Sequence, residues 1–201
     1  MEFKIPFSGR AHAYTEEEVN TVVEVMREAN PLTQGKHLKN FKKKFCDYIG
    51  AKRAFAVSNA TAALEMSAQL CQFQLGDEVI IPSHTYTSTA YPFAKKGAQI
   101  VWADIDLKTR VVTAQTLADR ITPKTKAMVI PHLYGYGADM SGILGLAKRH
   151  NLLTIEDAAQ VLGVEIDEKK AGTFGDFGIF SFHSHKNITT LGEGGMLLVK
   201  D

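Results

Sequence analysis

Cysteine is scarce in this sequence. Cys46 and Cys71 are the only two in 201 residues, and both fall in stretches that read as helical. Two such thiols do not make a disulfide framework, so a reducing compartment fits, with both as small core residues. Long apolar runs are missing too. No stretch approaches the ~20 apolar residues of a membrane-spanning helix, and the opening MEFKIPFSGRAHAY lacks the apolar centre of a leader peptide. The expectation is a soluble, cytoplasmic chain with no membrane partner. Charge of one sign is not in excess: 23 basic and 22 acidic side chains leave a formal +1. They are mixed along the sequence, which removes the footprint expected of a nucleic-acid binder. The densest basic run, residues 36–44, alternates lysines with Leu38 and Phe41, as the solvated face of an amphipathic helix does. Repeats, low-complexity tracts and linkers are lacking as well.

What the sequence does have is apolar content, 45% of residues, enough for one sizeable core. Thr15 followed by Glu16, Glu17 and Glu18 reads as a capping box opening a helix that ends near Asn30 and Pro31. A second helix over residues 36–49 is stopped by Gly50. Short β-rich runs follow at residues 54–57, 78–81, 99–103, 127–131, 152–156, 177–182 and 196–199. Helices fit between the earlier ones, at residues 61–73, 87–96, 114–120 and 139–150. Strand and helix in alternation, with strands apolar on both faces, predict an α/β three-layer sandwich around a mostly parallel sheet of about seven strands. No helix fits between the last two strands, so one of them is expected to run antiparallel. Residues 1–35 read as an irregular arm and helix, and residues 36–201 as the α/β domain. The stop at Asp201, two residues past the last strand position, leads us to expect part of a longer protein.

In open α/β sheets ligands collect at the carboxyl ends of the strands, so residues just past each strand are the candidates. After the first come Ser58, Asn59, Ala60 and Thr61, opening a helix whose free N–H groups suit a phosphate. The second is followed by Tyr86, an aromatic face. The fourth gives His132 and Tyr134, the fifth Asp157 and Gln160, and the sixth Ser181, His183, His185 and Lys186. Plainer readings exist: Thr61 as a helix cap, Tyr86 as core, Asp157 as the cap of its turn. A phosphate cradle, an aromatic plate, a carboxylate and an amine on one sheet edge are together what pyridoxal phosphate needs. The carboxylate pairs with the pyridinium nitrogen, the lysine with the aldehyde. A rival metal site would use His183, His185, His132 and Asp157 in hydrolytic chemistry.

SNATAAL (58–64), IIPSHTYTSTA (80–90), HLYGYGADM (132–140), EDAAQ (156–160) and GTFGDFGIFSFHSHKNITTLGEGGM (172–196) closely resemble the DegT/DnrJ/EryC1/StrS family. These are fold-type I pyridoxal-phosphate enzymes, mostly aminotransferases acting on nucleotide-linked keto-sugars. The resemblance runs from about Asn30 onward. It implies that Lys186 carries the cofactor covalently and acts as the catalytic base, and that Ser181, Ala60 and Thr61 contact the phosphate. It further implies that Tyr86 stacks on the ring, Asp157 binds its nitrogen and Gln160 lies near its phenolic oxygen. The implied partners are an amino-acid donor, expected to be glutamate, a nucleotide-linked keto-sugar, and a second copy in a homodimer. Members that are sugar dehydratases lack the lysine, so Lys186 favours amino transfer. The chain departs from the family pattern at Ala60, where many members carry glycine. It is also expected to depart in length, with the smaller C-terminal domain that members add absent from these 201 residues. A form without that domain could instead be a non-catalytic module on the cofactor fold.

Overall fold

The computed structural model describes residues 13–200, so most of the irregular arm expected at residues 1–14 lies outside the described residues. The capping box forms as read: the Glu18 amide donates to Thr15 Oγ1 at 3.2 Å, and the Thr15 amide to Glu18 Oε2 at 2.7 Å. It starts α1 (Glu16–Glu28), and α2 (Lys36–Ile49) follows, closed by Gly50 at φ +80°.

The remaining chain alternates strand and helix as the sequence predicts. In order come β1 (Ala54–Val57), α3 (Ala60–Leu70), β2 (Glu78–Pro82), α4 (Tyr91–Lys95), β3 (Gln99–Ala103), α5 (Ala114–Ala118) and β4 (Thr125–Pro131). They are followed by α6 (Met140–His150), β5 (Leu153–Asp157), β6 (Glu165–Ile166), β7 (Lys169–Lys170), β8 (Phe177–Ser181) and β9 (Gly195–Val199). Seven strands form one sheet in the order β1-β9-β8-β5-β4-β2-β3. All run parallel except β9, which is antiparallel to both β1 and β8. Residues 182–194 return the chain directly from β8 to β9 without a crossover helix, and a direct return produces an antiparallel neighbour.

Alternate residues of the strands enter different cores. Val79, Ile81, Ala127 and Val129 pack with Leu64 of α3 and Phe93 of α4. Ile80, Met128 and Ile130 face the other way, onto Leu117 of α5 and Ile143 of α6. Beyond them Phe180, Met196 and Leu198 meet Phe45 and Ile49 of α2. Helices on both faces make the three layers. α2 is pinned by edge-to-face rings, Phe45 to Phe180 at 5.1 Å and Phe41 to Phe182 at 5.3 Å. Pairs of this kind add about 0.5–1.5 kcal/mol each beyond their buried area. They fix the strand end from which the Lys186 loop departs.

Three details differ from expectation. The helix read over residues 87–96 is broken into a single 3₁₀ turn, Thr87–Thr89, and α4. Pro92, which has no N–H to give, sits in the first turn of α4 rather than inside a longer helix. The helix read over 61–73 spans Ala60–Leu70, and the chain leaves it through Gln72 at φ +52°. The ribbon of β6 and β7 was not anticipated. It has two paired positions, and its turn puts Asp167 and Glu168 at positive φ without glycine, so the usual hairpin signal is missing.

Candidate functional site

Parallel β2, β4, β5 and β8 end along one edge of the sheet, where α3 also begins. There they surround a cavity of about 400 Å³ whose walls include the seven residues to which the resemblance gave a role, Ala60, Thr61, Tyr86, Asp157, Gln160, Ser181 and Lys186, and also Asn59, His132, His183 and His185; Ser58 and Tyr134 are not among its lining residues.

One end is made of backbone. Asn59, not Thr61, caps α3: its Oδ1 accepts from the Ala62 amide at 2.9 Å and its carbonyl from the Ala63 amide at 3.3 Å. The Ala60 and Thr61 amides are left without an acceptor among the described residues. Ser181 is beside them at the end of β8, and its Oγ receives only a long contact, 3.4 Å, from the His183 amide. Two open amides at a helix start, with a hydroxyl beside them, suit a phosphate dianion by geometry and by the helix dipole.

The other end holds the ionisable groups. Asp157, 7% exposed at the tip of β5, accepts from the Thr89 hydroxyl at 2.8 Å and from the Ala159 amide at 3.2 Å. It therefore does cap its own turn, while also lining the cavity. Lys186 sits in the loop after β8, its amide bound to the His183 carbonyl at 2.8 Å. Burial pushes its ammonium below the ordinary lysine range, and the opposing pull of the Asp157 charge is the smaller influence. Gln160 is oriented by the Tyr134 amide, which donates to its Oε1 at 3.0 Å. That leaves its NH₂ as the end able to donate to an oxyanion. The donating amide belongs to a tight turn in which Tyr134 and Gly135 both adopt positive φ, +54° and +85°, and the Tyr136 amide closes onto the Leu133 carbonyl at 2.8 Å. Tyr86 is 69% exposed, which rules out the reading of it as core.

Among the described residues, the histidines of the rival metal reading do not share a site. His132 is fully committed in the core: its Nδ1 accepts from the Ala138 amide at 3.0 Å, so its Nε2–H is the donor to Glu156 Oε2, also 3.0 Å. His183 packs edge-on to His185 with centroids 5.1 Å apart and approaches Glu193 at 3.5 Å. Among the described residues, no three His, Cys, Asp or Glu side chains are arranged to hold a metal.

Two residues near the site escaped the sequence reading. Thr89 had no signal beyond a hydroxyl next to a predicted helix. Glu156 precedes Asp157 and points to the opposite side of β5, where it accepts amides from Gly172, Phe174 and Gly175 at 2.6–2.8 Å in addition to His132. The acidic pair at a strand end was a usable signal, since strand alternation sends its two carboxylates to opposite faces.

Comparison with known proteins agrees with this fold. The sequence model of the DegT/DnrJ/EryC1/StrS aminotransferase family matches residues 12–201. GDP-perosamine synthase of Caulobacter vibrioides is 46% identical over 167 residues, 83% of this chain and 45% of that protein. The X-ray structure of an aminotransferase from Psychrobacter cryohalolentis superposes with a TM-score of 0.92 at 35% identity, covering 98% of this chain and 50% of the other. GDP-4-keto-6-deoxy-D-mannose-3-dehydratase of E. coli, solved with bound hydrated PLP, gives 0.88 at 26% identity, covering 95% and 50%. The chain thus spans about half the length of the relatives it matches. No helix among the described residues is long and apolar enough to cross a membrane.

Proposed function

This chain belongs to the DegT/DnrJ/EryC1/StrS aminotransferase family, and from that premise we propose that it binds pyridoxal phosphate and serves amino transfer from an amino acid, glutamate, to a nucleotide-linked keto-sugar. The observation that carries the reading is the convergence on one cavity of open amides, a buried carboxylate and a lysine whose burial favours the neutral amine.

The residues fit the cofactor group by group. The Ala60 and Thr61 amides and the Ser181 hydroxyl would hold the phosphate. Asp157 would accept the ring N–H with a lone pair not used by Thr89 or Ala159. The Gln160 NH₂ would donate to the phenolic oxygen, Tyr86 would cover a ring face, and Lys186 Nζ would bind the aldehyde carbon. Bound in this way, pyridoxal phosphate supplies an electron-accepting ring for carbon–nitrogen chemistry.

Lys186 Nζ is the proton carrier of the proposal. Its neutral form takes the proton from the α-carbon of the amino-acid donor, and its ammonium form returns a proton when the sugar is aminated. Half-burial in the cavity wall disfavours the charged form of that nitrogen, which shifts its protonation toward the neutral amine. The presence of the amine is also the reason to read transfer rather than dehydration.

The direct test is Lys186→Ala. Purified chain mixed with pyridoxal phosphate is expected to show a visible absorbance band and, after borohydride reduction, a pyridoxyl adduct on the peptide containing Lys186. The variant should fold and give neither; a band and adduct of undiminished size in the variant would sink the assignment. Conversion of glutamate to 2-oxoglutarate with keto-sugar present tests the reaction, and sedimentation tests the homodimer that the family resemblance implies.

A further inference from the structure

Asp157 is held by a chain of hydroxyls that begins in the cavity wall. Thr85 Oγ1 lies 2.9 Å from Thr89 Oγ1, which lies 2.8 Å from Asp157 Oδ2. The direction of this chain follows from chemistry. A carboxylate can only accept, so the single proton of Thr89 goes to Asp157, and the lone pairs of Thr89 must then be met by the proton of Thr85. Thr89 is wholly buried, so water cannot replace either partner. The other Asp157 oxygen is tied to the Ala159 amide at 3.2 Å. With one donor on each oxygen, the plane of the carboxylate is set, and so are the directions of the lone pairs that remain.

We propose that Thr89 is a positioning residue: its hydroxyl, oriented by Thr85, aims the free lone pairs of Asp157 at the ring nitrogen of the bound cofactor and so keeps that nitrogen protonated. The proposal rests on the cofactor reading above and adds to it a residue that touches neither cofactor nor substrate. Thr89 is the last residue of the 3₁₀ turn Thr87–Thr89, whose backbone is closed by the Thr89 amide donating to the Tyr86 carbonyl at 2.9 Å. Buried hydrogen bonds to a charged acceptor are among the stronger ones, and removing one partner also leaves the other under-satisfied.

Thr89→Val keeps the shape and removes the hydroxyl. The dissociation constant for pyridoxal phosphate is expected to rise about tenfold or more, the range for losing a hydrogen bond to a charged group. The ring-nitrogen resonance of bound ¹⁵N-labelled cofactor is expected to move toward its unprotonated position. Thr89→Ser should return both to near wild type. Thr85→Val, which leaves the Thr89 donation intact, should give a smaller change in the same direction. A purely structural hydroxyl would lower the unfolding midpoint of Thr89→Val and leave the ¹⁵N position of bound cofactor unmoved. That result, failure of serine to rescue, or wild-type affinity in a folded Thr89→Val overturns the proposal. A wild-type chain that takes up no pyridoxal phosphate overturns the cofactor reading itself and this proposal with it, which separates the two failures.

Discussion

The amide nitrogen of Ala60 runs so close over Gly195 that a β-carbon on the glycine would lie 2.8 Å from it and 2.6 Å from the Asn59 carbonyl carbon. Both neighbours are backbone, so neither can swing aside. Gly195 opens β9 opposite Ser181, and it is this close approach that lets the start of α3 settle beside the β8 end. Gly195→Ala is therefore expected to push the helix start outward, costing about 1–3 kcal/mol as overpacking does. It should also weaken pyridoxal phosphate binding more than a matched change far from the cavity. Urea denaturation and a cofactor titration measure the two effects; an alanine variant of unchanged stability would mean that the helix can move freely.

That contact also marks where sequence reading stops. The strands were legible because apolar, β-branched runs between polar turns are local facts, and Asp157 and Lys186 were legible because chemistry-bearing residues stood just past such runs. Gly195 stood only inside the motif at residues 172–196, with no role of its own, since the helix that needs its missing side chain begins far away in sequence, at Ala60. Thr89 and Asp157 are 68 positions apart, and the turn that joins them depended on how Pro92 would divide a predicted helix. The acidic pair pointed to a carboxylate on the far face of β5, but not to what Glu156 binds there, because its four donors come from His132 and from the turn at residues 172–175.

Glu156 yields the largest expected stability effect. Its carboxylate is buried and is the common acceptor of three amides and the His132 Nε2–H. Glu156→Ala leaves all four donors without partners, at roughly 1–3 kcal/mol for each that finds no water. Loss of at least about 4 kcal/mol is expected, enough to unfold a domain of ordinary stability. His132→Ala removes one donor of four and should cost clearly less. Denaturant midpoints for the two variants check the ranking, and equal or reversed costs would show that the carboxylate is not the hub.

Cys71 tests the core on the other side of the molecule. Burial pushes its thiol up to about 12, with the charge of Lys126 pulling weakly the other way. Only the thiolate reacts with alkylating reagents, so in the native chain at pH 8 Cys71 should resist labelling and become reactive only on unfolding. Mass spectrometry after timed iodoacetamide treatment, with and without urea, reads this directly. Rapid native labelling of Cys71 would mean that the packing under α3 opens far more often than its burial implies.

Lys186 gives a pH dependence with a definite sign. Its amine has a folded-state pKa below the ordinary 10.5, through burial, while the Asp157 charge acts to raise it. Between the folded value and 10.5 the unfolded chain holds one more proton at this site than the folded chain, so stability rises with pH across that window and is reduced below it. Lys186→Met, which cannot take up that proton, should flatten this slope and make the cofactor-free chain more stable at neutral pH. The same shift predicts that acetylation of Lys186, followed peptide by peptide, has its midpoint below that of the chain's exposed lysines. Asp157→Asn separates the two influences. It removes the charge that favours the ammonium and leaves the burial in place, so the Lys186 midpoint should fall further. A midpoint that rises in Asp157→Asn would mean that the carboxylate does not act on the amine through its charge.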